Sequence, residues 1–175
     1  MGQEDWLLRQ GGLTAIGDPL YGLSRKDNDT FDQREGLLDS WKMEIKGEDV
    51  VTTMVLKRGI PWHNNEGVVT TQDVKFTEAH LLLGGTSPFN VTRTSLFNRD
   101  INNIEIVDDV TIRYHSKINW LYADYVKQWA NPNGSHGLMP KAYVERVGED
   151  GYRKQPVNTG PWKLIEHVSD TRTTL

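Results

Sequence analysis

The sequence predicts a domain of mixed α and β structure, and three observations support this fold class. Apolar, β-branched runs of strand length are separated by turn residues, and longer segments carry helix-start and helix-stop signals. The 175 residues include 37% hydrophobic residues and six tryptophans, which is enough core material for one or two domains. No internal repeat or low-complexity tract appears in the sequence.

The first predicted element pair is a β-hairpin. The polar stretch from Ser24 to Arg34 is interpreted as a loop that precedes it. The apolar run Val50–Leu56 is typical of a strand, and the segment around Trp41 is its partner. Residues 46–49 (Lys-Gly-Glu-Asp) supply the glycine and the polar side chains that a tight reversal between the two strands requires.

A helix is predicted after this hairpin. Thr70 stands three residues before Asp73, the spacing at which a hydroxyl and a carboxylate reciprocally satisfy free backbone amides at a helix start. We expect the helix to run from Thr71 to Leu83, because Gly84 and Gly85 then end it.

The second half of the chain shows the same mixture of elements. Alternating apolar residues on both sides of Asp108 and Asp109 predict a second hairpin; they are Ile104, Ile106, Val110, Ile112 and Tyr114. A helix is expected from Asn119 to Ala130, and another from Pro140 to Gly148. The segments Trp162–Ile165 and Thr173–Leu175 are interpreted as strands.

Charge and motif content narrow the function classes. A net charge of -4 and a pI near 5.7 provide no basic surface for nucleic acid or anionic membranes. The five histidines have no zinc-site spacing, and the sequence lacks cysteine. It also lacks a nucleophile elbow and a phosphate-binding loop. The residues alone therefore give no support for catalytic residues, metal ligands or a cofactor.

Two separate blocks of sequence resemble a known family. The first includes Leu38 and Trp41, residues 56–60 (Leu-Lys-Arg-Gly-Ile), Trp62-His63, and residues 70–77 (Thr-Thr-Gln-Asp-Val-Lys-Phe-Thr). The second includes residues 140–143 (Pro-Lys-Ala-Tyr), Gly148, and residues 156–164 (Pro-Val-Asn-Thr-Gly-Pro-Trp-Lys-Leu). Together they are similar to the motifs of family 5 solute-binding proteins of ABC importers, the dipeptide- and oligopeptide-binding type. Thr71, Asn158 and the turn Asn64–Gly67 depart from the family pattern.

The resemblance implies a truncated fold of the type II periplasmic-binding-protein kind. It covers about residues 13–175 of this chain and only the first part of a family member. Residues 1–42 are then the start of a first large lobe, residues 43–155 a small α and β lobe, and residues 156–175 a return into the large lobe. The second lobe that clasps the ligand is expected to be missing.

The resemblance also implies a function. It predicts the solute-binding component of an ABC importer, which captures peptides or similar small solutes and delivers them to a membrane permease. The expected location is periplasmic or extracellular, free or membrane-anchored, although no apolar run in the sequence is long enough for a signal or a membrane span. The expected state is a monomer.

The resemblance places two loops at the ligand cleft, one after the first helix and one before the helix at Pro140. Five residues on these loops are the predicted ligand-facing side chains: Phe89, Trp129, Asn131, Asn133 and His136. From the residues alone, Trp129 fits a core position as well as a platform for ligand, whereas Trp41 and Trp62 are predicted to be buried. An alternative function is a free-standing carbohydrate- or adhesion-type module that stacks ligand on Trp129 and Phe89.

Overall fold

The computed structural model describes residues 17–18, 20, 23–25, 31–33, 36–83, 101–117, 138–168 and 171–175. Their strands are β1 (Leu23–Arg25), β2 (Phe31–Gln33), β3 (Leu38–Lys46), β4 (Asp49–Leu56), β5 (Ile104–Ile106), β6 (Thr111–Lys117), β7 (Glu166–Val168) and β8 (Arg172–Thr174). The α-helices are α1 (Thr71–Leu83) and α2 (Lys141–Lys154), and short 3-10 turns occupy His63–Asn65 and Ile101–Asn103. This composition confirms the predicted mixed fold class.

A four-stranded antiparallel sheet in the order β3-β4-β6-β5 is the main sheet of these residues. Both predicted hairpins are confirmed in it. Gly47 has a φ of 62° at the first central position of the two-residue loop between β3 and β4, as type II′ turns require. At the other hairpin, the Asp108 carboxylate accepts hydrogen bonds from the Val110 and Thr111 backbone N–H groups, each at 2.8 Å. These bonds lower the pKa of the Asp108 carboxyl.

The two faces of this sheet differ in polarity because side chains alternate along each strand. On the inner face, Met54 lies opposite Ile112, and both side chains are buried. On the outer face, Lys42 and Glu44 of β3 are exposed, as is His115 of β6. The inner residues join side chains from α1, α2 and the intervening loops in one core, whose buried members include Leu56, Trp62, Val74, Leu138, Tyr143 and Val157.

Helix α1 has the predicted bounds, Thr71–Leu83. Helix α2 is broken at Gly148, where the sequence predicts its end, but a further helical segment beyond the break extends the element to Lys154. Gly148 interrupts it with φ 75° and ψ 169°, a conformation open to glycine, and helical structure then resumes. The continuation carries Tyr152, which packs against the core and meets the Tyr143 ring edge-on at 6.4 Å.

Two predictions are wrong. The polar stretch interpreted as loop contains the short antiparallel pair β1 and β2, held by backbone pairing that needs no apolar pattern. The predicted strand at Trp162–Ile165 is displaced to Glu166–Val168, because β7 pairs with β8 across a turn closed by the Thr171 N–H bond to the Val168 carbonyl. The strand predicted at Thr173–Leu175 is observed one residue earlier. The predicted helix Asn119–Ala130 and the stop at Gly84 and Gly85 lie outside the described residues.

Trp62 anchors the core, and its truncation provides a test. Its side chain is 3% exposed, as predicted, whereas Trp41 is only partly buried against the same cluster. We expect Trp62→Ala to lower the free energy of unfolding by about 3 to 5 kcal/mol, the usual cost of deleting a buried large aromatic side chain. Urea unfolding followed by circular dichroism measures this change.

Trp162→Ala is the matched control for that experiment. Trp162 is 58% exposed, so its removal should change the free energy of unfolding by no more than about 0.5 kcal/mol. Equal losses for the two variants would contradict the core position of Trp62.

Tyr152 gives the fold a specific response to alkaline pH. Burial raises the pKa of Tyr152 to about 12 from 10.0. As pH rises through this interval, the unfolded chain releases the phenol proton and the folded chain retains it, so unfolding becomes easier. We expect Tyr152 to account for about 2 to 3 kcal/mol of stability lost between pH 10 and pH 12.

Tyr152→Phe should remove that part of the pH dependence while leaving the losses due to other groups. Unfolding free energies of the two proteins, measured at several pH values in this interval, provide the comparison. Parallel curves for wild type and variant would show that Tyr152 does not cause the loss.

Candidate functional site

The buried carboxylate of Asp73 joins the starts of the two α-helices. Its Oδ2 accepts hydrogen bonds from the Thr70 backbone N–H at 2.8 Å and from the Thr70 hydroxyl at 3.1 Å. Its Oδ1 accepts the Lys141 N–H of α2 at 2.8 Å. The negative charge therefore faces the N-termini of both helices, where free N–H groups and the helix dipole favour it.

This geometry confirms half of the predicted capping arrangement. The Asp73 side chain reaches back to the Thr70 N–H, as expected from the spacing. The Thr70 hydroxyl, however, donates to the Asp73 carboxylate, and the Asp73 N–H bonds to the Thr70 carbonyl oxygen at 3.1 Å. The hydrogen bond between Asp73 and Lys141 spans 68 residues, and the sequence spacing does not predict it.

Thr77 extends the connection between α1 and the chain that enters α2. Its buried hydroxyl donates to the Asp73 carbonyl oxygen and accepts the Met139 N–H, both at 2.8 Å. Leu138 beside it is buried in the core. The segment before α2 is therefore fixed along one side of α1.

The five predicted ligand-facing residues lie outside the described residues, so the structure does not test them; they are Phe89, Trp129, Asn131, Asn133 and His136. The structure does show where each of the two loops that carry these residues is attached to the fold. One loop follows the end of α1 at Leu83, and the other ends at Leu138. Leu83 lies about 9 Å along the helix from Thr77, which bonds to Met139. Both loops are therefore attached to one rigid pair of elements.

A tight loop, Ile60–Val69, forms a second fixed feature. The Trp62 N–H bonds to the Gly67 carbonyl oxygen, and the Val69 N–H bonds to that of Ile60. Asn64 and Asn65 have φ values of 59° and 60°, a region that asparagine tolerates better than most residues. The loop therefore holds His63 in position for its contacts with Asn158 and Gly160.

His63 connects this loop to the segment Asn158–Gly160. Its backbone N–H donates to the Asn158 carbonyl oxygen at 2.8 Å, and its Nε2 lies 2.7 Å from the Gly160 carbonyl oxygen. A carbonyl oxygen only accepts, so Nε2 carries the proton. The two sequence blocks that carry the family resemblance therefore contact each other, although nothing in their spacing predicts this.

The other side of the loop is held by α2. The Arg146 guanidinium donates to the Glu66 carboxylate at 2.7 Å and lies 5.3 Å from the centre of the Tyr143 ring. Hydrogen bonding to Glu66 raises the pKa of Arg146. We name the set His63, Glu66, Arg146, Asn158 and Gly160 the junction, because it joins the loop both to α2 and to the C-terminal segment.

The outer face of the main sheet is polar and open. Glu105 accepts hydrogen bonds from His115 at 2.8 Å and Arg113 at 3.2 Å, which lower the pKa of the Glu105 carboxyl. A shallow depression of about 290 Å³ lies on this face, lined by Lys42, Glu44, Lys46, Asp49, Val51, Thr53, Arg113 and His115. Across the described ranges, no three histidine, aspartate or glutamate side chains are placed to hold a metal ion. No helix in those ranges could span a membrane.

The fold is that of part of a type II periplasmic binding protein. The structure resembles the mannopinic acid complex of MoaA from A. tumefaciens R10 at TM-score 0.69 and 20% identity, covering 90% of this chain and 30% of that one. A dipeptide-binding protein of Pseudoalteromonas sp. SM9913 with Met-Leu matches at TM-score 0.65 and 18% identity, covering 92% and 32%. CtaP of Listeria monocytogenes matches at TM-score 0.62 and 25% identity, covering 89% and 29%.

The family assignment follows from the sequence match. Residues 33–175 match the model of the bacterial extracellular solute-binding proteins, family 5, and the chain belongs to this family. Its members form a solute-binding, non-catalytic group. The chain spans about 30% of the length of the solved structures that it resembles. The comparison with curated proteins gave no match.

The bridging role of Asp73 leads to a prediction. Asp73→Ala leaves the Lys141 and Thr70 N–H groups without their charged acceptor, so we expect a loss of about 2 to 3 kcal/mol in unfolding free energy. Hydrogen exchange should also become faster at Met139 and Lys141. Asp150→Ala is the control, because the Asp150 side chain is 91% exposed. Unchanged exchange at Met139 and Lys141 would contradict the bridge.

Proposed function

We propose that this chain is part of the solute-binding component of an ABC importer, which captures a peptide or a similar small solute. The family match over residues 33–175 carries this proposal. Two of the similar structures support the ligand class, since one holds mannopinic acid and the other the dipeptide Met-Leu. Both ligands are small and polar, with several groups that can form hydrogen bonds.

In this proposal the described residues supply a rigid support for part of the ligand cleft. The loops after α1 and before α2 present Phe89, Trp129, Asn131, Asn133 and His136 to the solute. The Asp73 and Thr77 bonds to the α2 entry keep the two loop anchors together. Such a support favours binding because less conformational freedom is lost when ligand arrives.

The proposed mechanism is closure around the solute without chemical change. In this proposal residues 1–42 and 156–175 belong to the large lobe and residues 43–155 to the small lobe, and the His63 bond to Asn158 holds these two together on one side of the cleft. Ligand binding shifts the equilibrium from an open to a closed form, which a membrane permease then recognises. The protein acts outside the cytoplasmic membrane and catalyses no reaction.

A ligand titration tests this function. We expect a pool of dipeptides and oligopeptides to bind the 175-residue chain with a Kd near about 1 mM, because one wall of a cleft buries only part of a ligand. Changes in NMR amide signals should be confined to the loops after α1 and before α2. Trp129→Ala should reduce them, and Trp162→Ala, which alters an exposed tryptophan elsewhere, should not.

Two results would contradict the proposal. Peptide-induced changes on the outer sheet face at Arg113 and His115, with none in the two loops, would place the ligand elsewhere. Submicromolar binding of an oligosaccharide that is lost in Trp129→Ala would instead favour the free-standing module with an aromatic platform.

A further inference from the structure

Strand β3 is an edge of the main sheet whose outer side no described segment occupies. Eight of its nine residues pair with β4, and no other described strand pairs with it. The two-residue loop that starts at Gly47 joins Lys46 to Asp49. In hairpins of this type, the two residues that flank the loop form backbone hydrogen bonds with each other. By alternation, the backbone groups of Lys42 and Glu44 also face β4. Those of Met43 and Ile45 then point to the open side.

The side chains of β3 present a pattern that is complementary to itself. Ile45 is 55% exposed, and Met43 is partly exposed on the same face. Lys42 and Glu44 lie on the opposite face, 3.3 Å apart, with exposed side chains. An exposed ion pair of this kind contributes little to stability, so both charges are available to a partner.

We propose that β3 pairs with β3 of a second copy of this chain, antiparallel and centred on Met43. In this register Met43 lies opposite its counterpart, and Ile45 lies opposite Trp41 of the other copy. Lys42 then faces Glu44 of the second copy, and the symmetric pair forms as well. The two sheets become one continuous eight-stranded sheet. This dimer differs from the monomer that the sequence suggests.

The charges select this register over its neighbours. A shift that centres the pair on Glu44 places two glutamates in contact and Lys42 against Lys46. A shift that centres it on Lys42 places two lysines together. Only registers with the same alternation keep the Met43 and Ile45 backbone groups facing the partner. A register centred on Met43 brings opposite charges together and keeps the Met43 and Ile45 backbone groups facing the partner. It pairs residues 40–46 along the strand.

Side-chain distances also favour this register. Lys42 and Glu44 of the second copy form a non-hydrogen-bonded pair, the type in which facing side chains are closest. Met43 and Ile45 contribute apolar contacts on the other face, the one that also carries Trp41. Because the contact is small, we expect a weak dimer with a Kd between about 10 μM and 1 mM.

Sedimentation equilibrium with charge-reversal variants tests the proposal. Lys42→Glu and Glu44→Lys each create two like-charge contacts per dimer, so each alone should weaken association by about ten- to a hundredfold. The double variant restores both opposite-charge contacts and should dimerise like the wild type. Lys163→Glu, an exposed change of equal charge outside β3, should leave association unchanged.

Mixing the two single variants provides the most specific result. Lys42→Glu carries two acidic residues at positions 42 and 44, and Glu44→Lys carries two basic ones. An equimolar mixture should therefore form a heterodimer, whereas each variant alone stays largely monomeric. Far-ultraviolet circular dichroism spectra of both variants should match that of the wild type, because both substituted side chains are exposed.

Backbone exchange shows whether the contact is a β-pairing. Amide protons of Met43 and Ile45 should exchange more slowly as the wild-type concentration rises, while those of Lys42 and Glu44, already bonded to β4, should not change. A wild-type chain that remains monomeric up to about 1 mM would overturn the proposal. Dimerisation that neither single variant weakens would also overturn it, because the contact would then lie elsewhere.

Discussion

The carboxylate of Asp73 is the interaction on which the rest of the described structure depends. One buried group satisfies backbone N–H groups at the start of α1 and of α2, which are 68 residues apart in sequence. Removing the carboxylate leaves two partly buried donors without their acceptor, a larger cost than the net gain from an average hydrogen bond. Together with the Thr77 bond to Met139, this carboxylate holds the chain that enters α2 against α1.

Local patterns explain which parts of the fold the sequence predicts. The hairpin turn at Gly47 and the start of α1 at Thr71 depend on residues within a few positions of each other, and both are observed as expected. The turn and the helix start need no knowledge of distant contacts, because short-range sterics and hydrogen bonding determine them. Trp62 is buried as predicted, although it lies in the loop Ile60–Val69 and not in a regular element.

Long-range contacts explain the failures. The glycine signal predicts the break at Gly148 but not the helical segment after it, which carries Tyr152 and packs this side chain against the core. The position of β7 depends on its partner β8 and not on its own apolar content. The same reasoning applies to the site. The family resemblance identified the segments of the junction, but the contact between His63 and Asn158 appears only once the chain is folded.

The alternating charges of β3 have two physical interpretations, and their order along the strand distinguishes them. Lysines at a sheet edge usually prevent pairing, because like charges repel in every register. A strand protected in this way carries one sign of charge. In β3, Glu44 stands between Lys42 and Lys46, so like charges meet in the registers centred on residues 42 and 44, and opposite charges meet in those centred on Met43 and Ile45. Of these two, the Met43 register pairs the longer segment, residues 40–46. The charges and the length of the paired segment together thus disfavour unspecific edge pairing and favour one symmetric pairing.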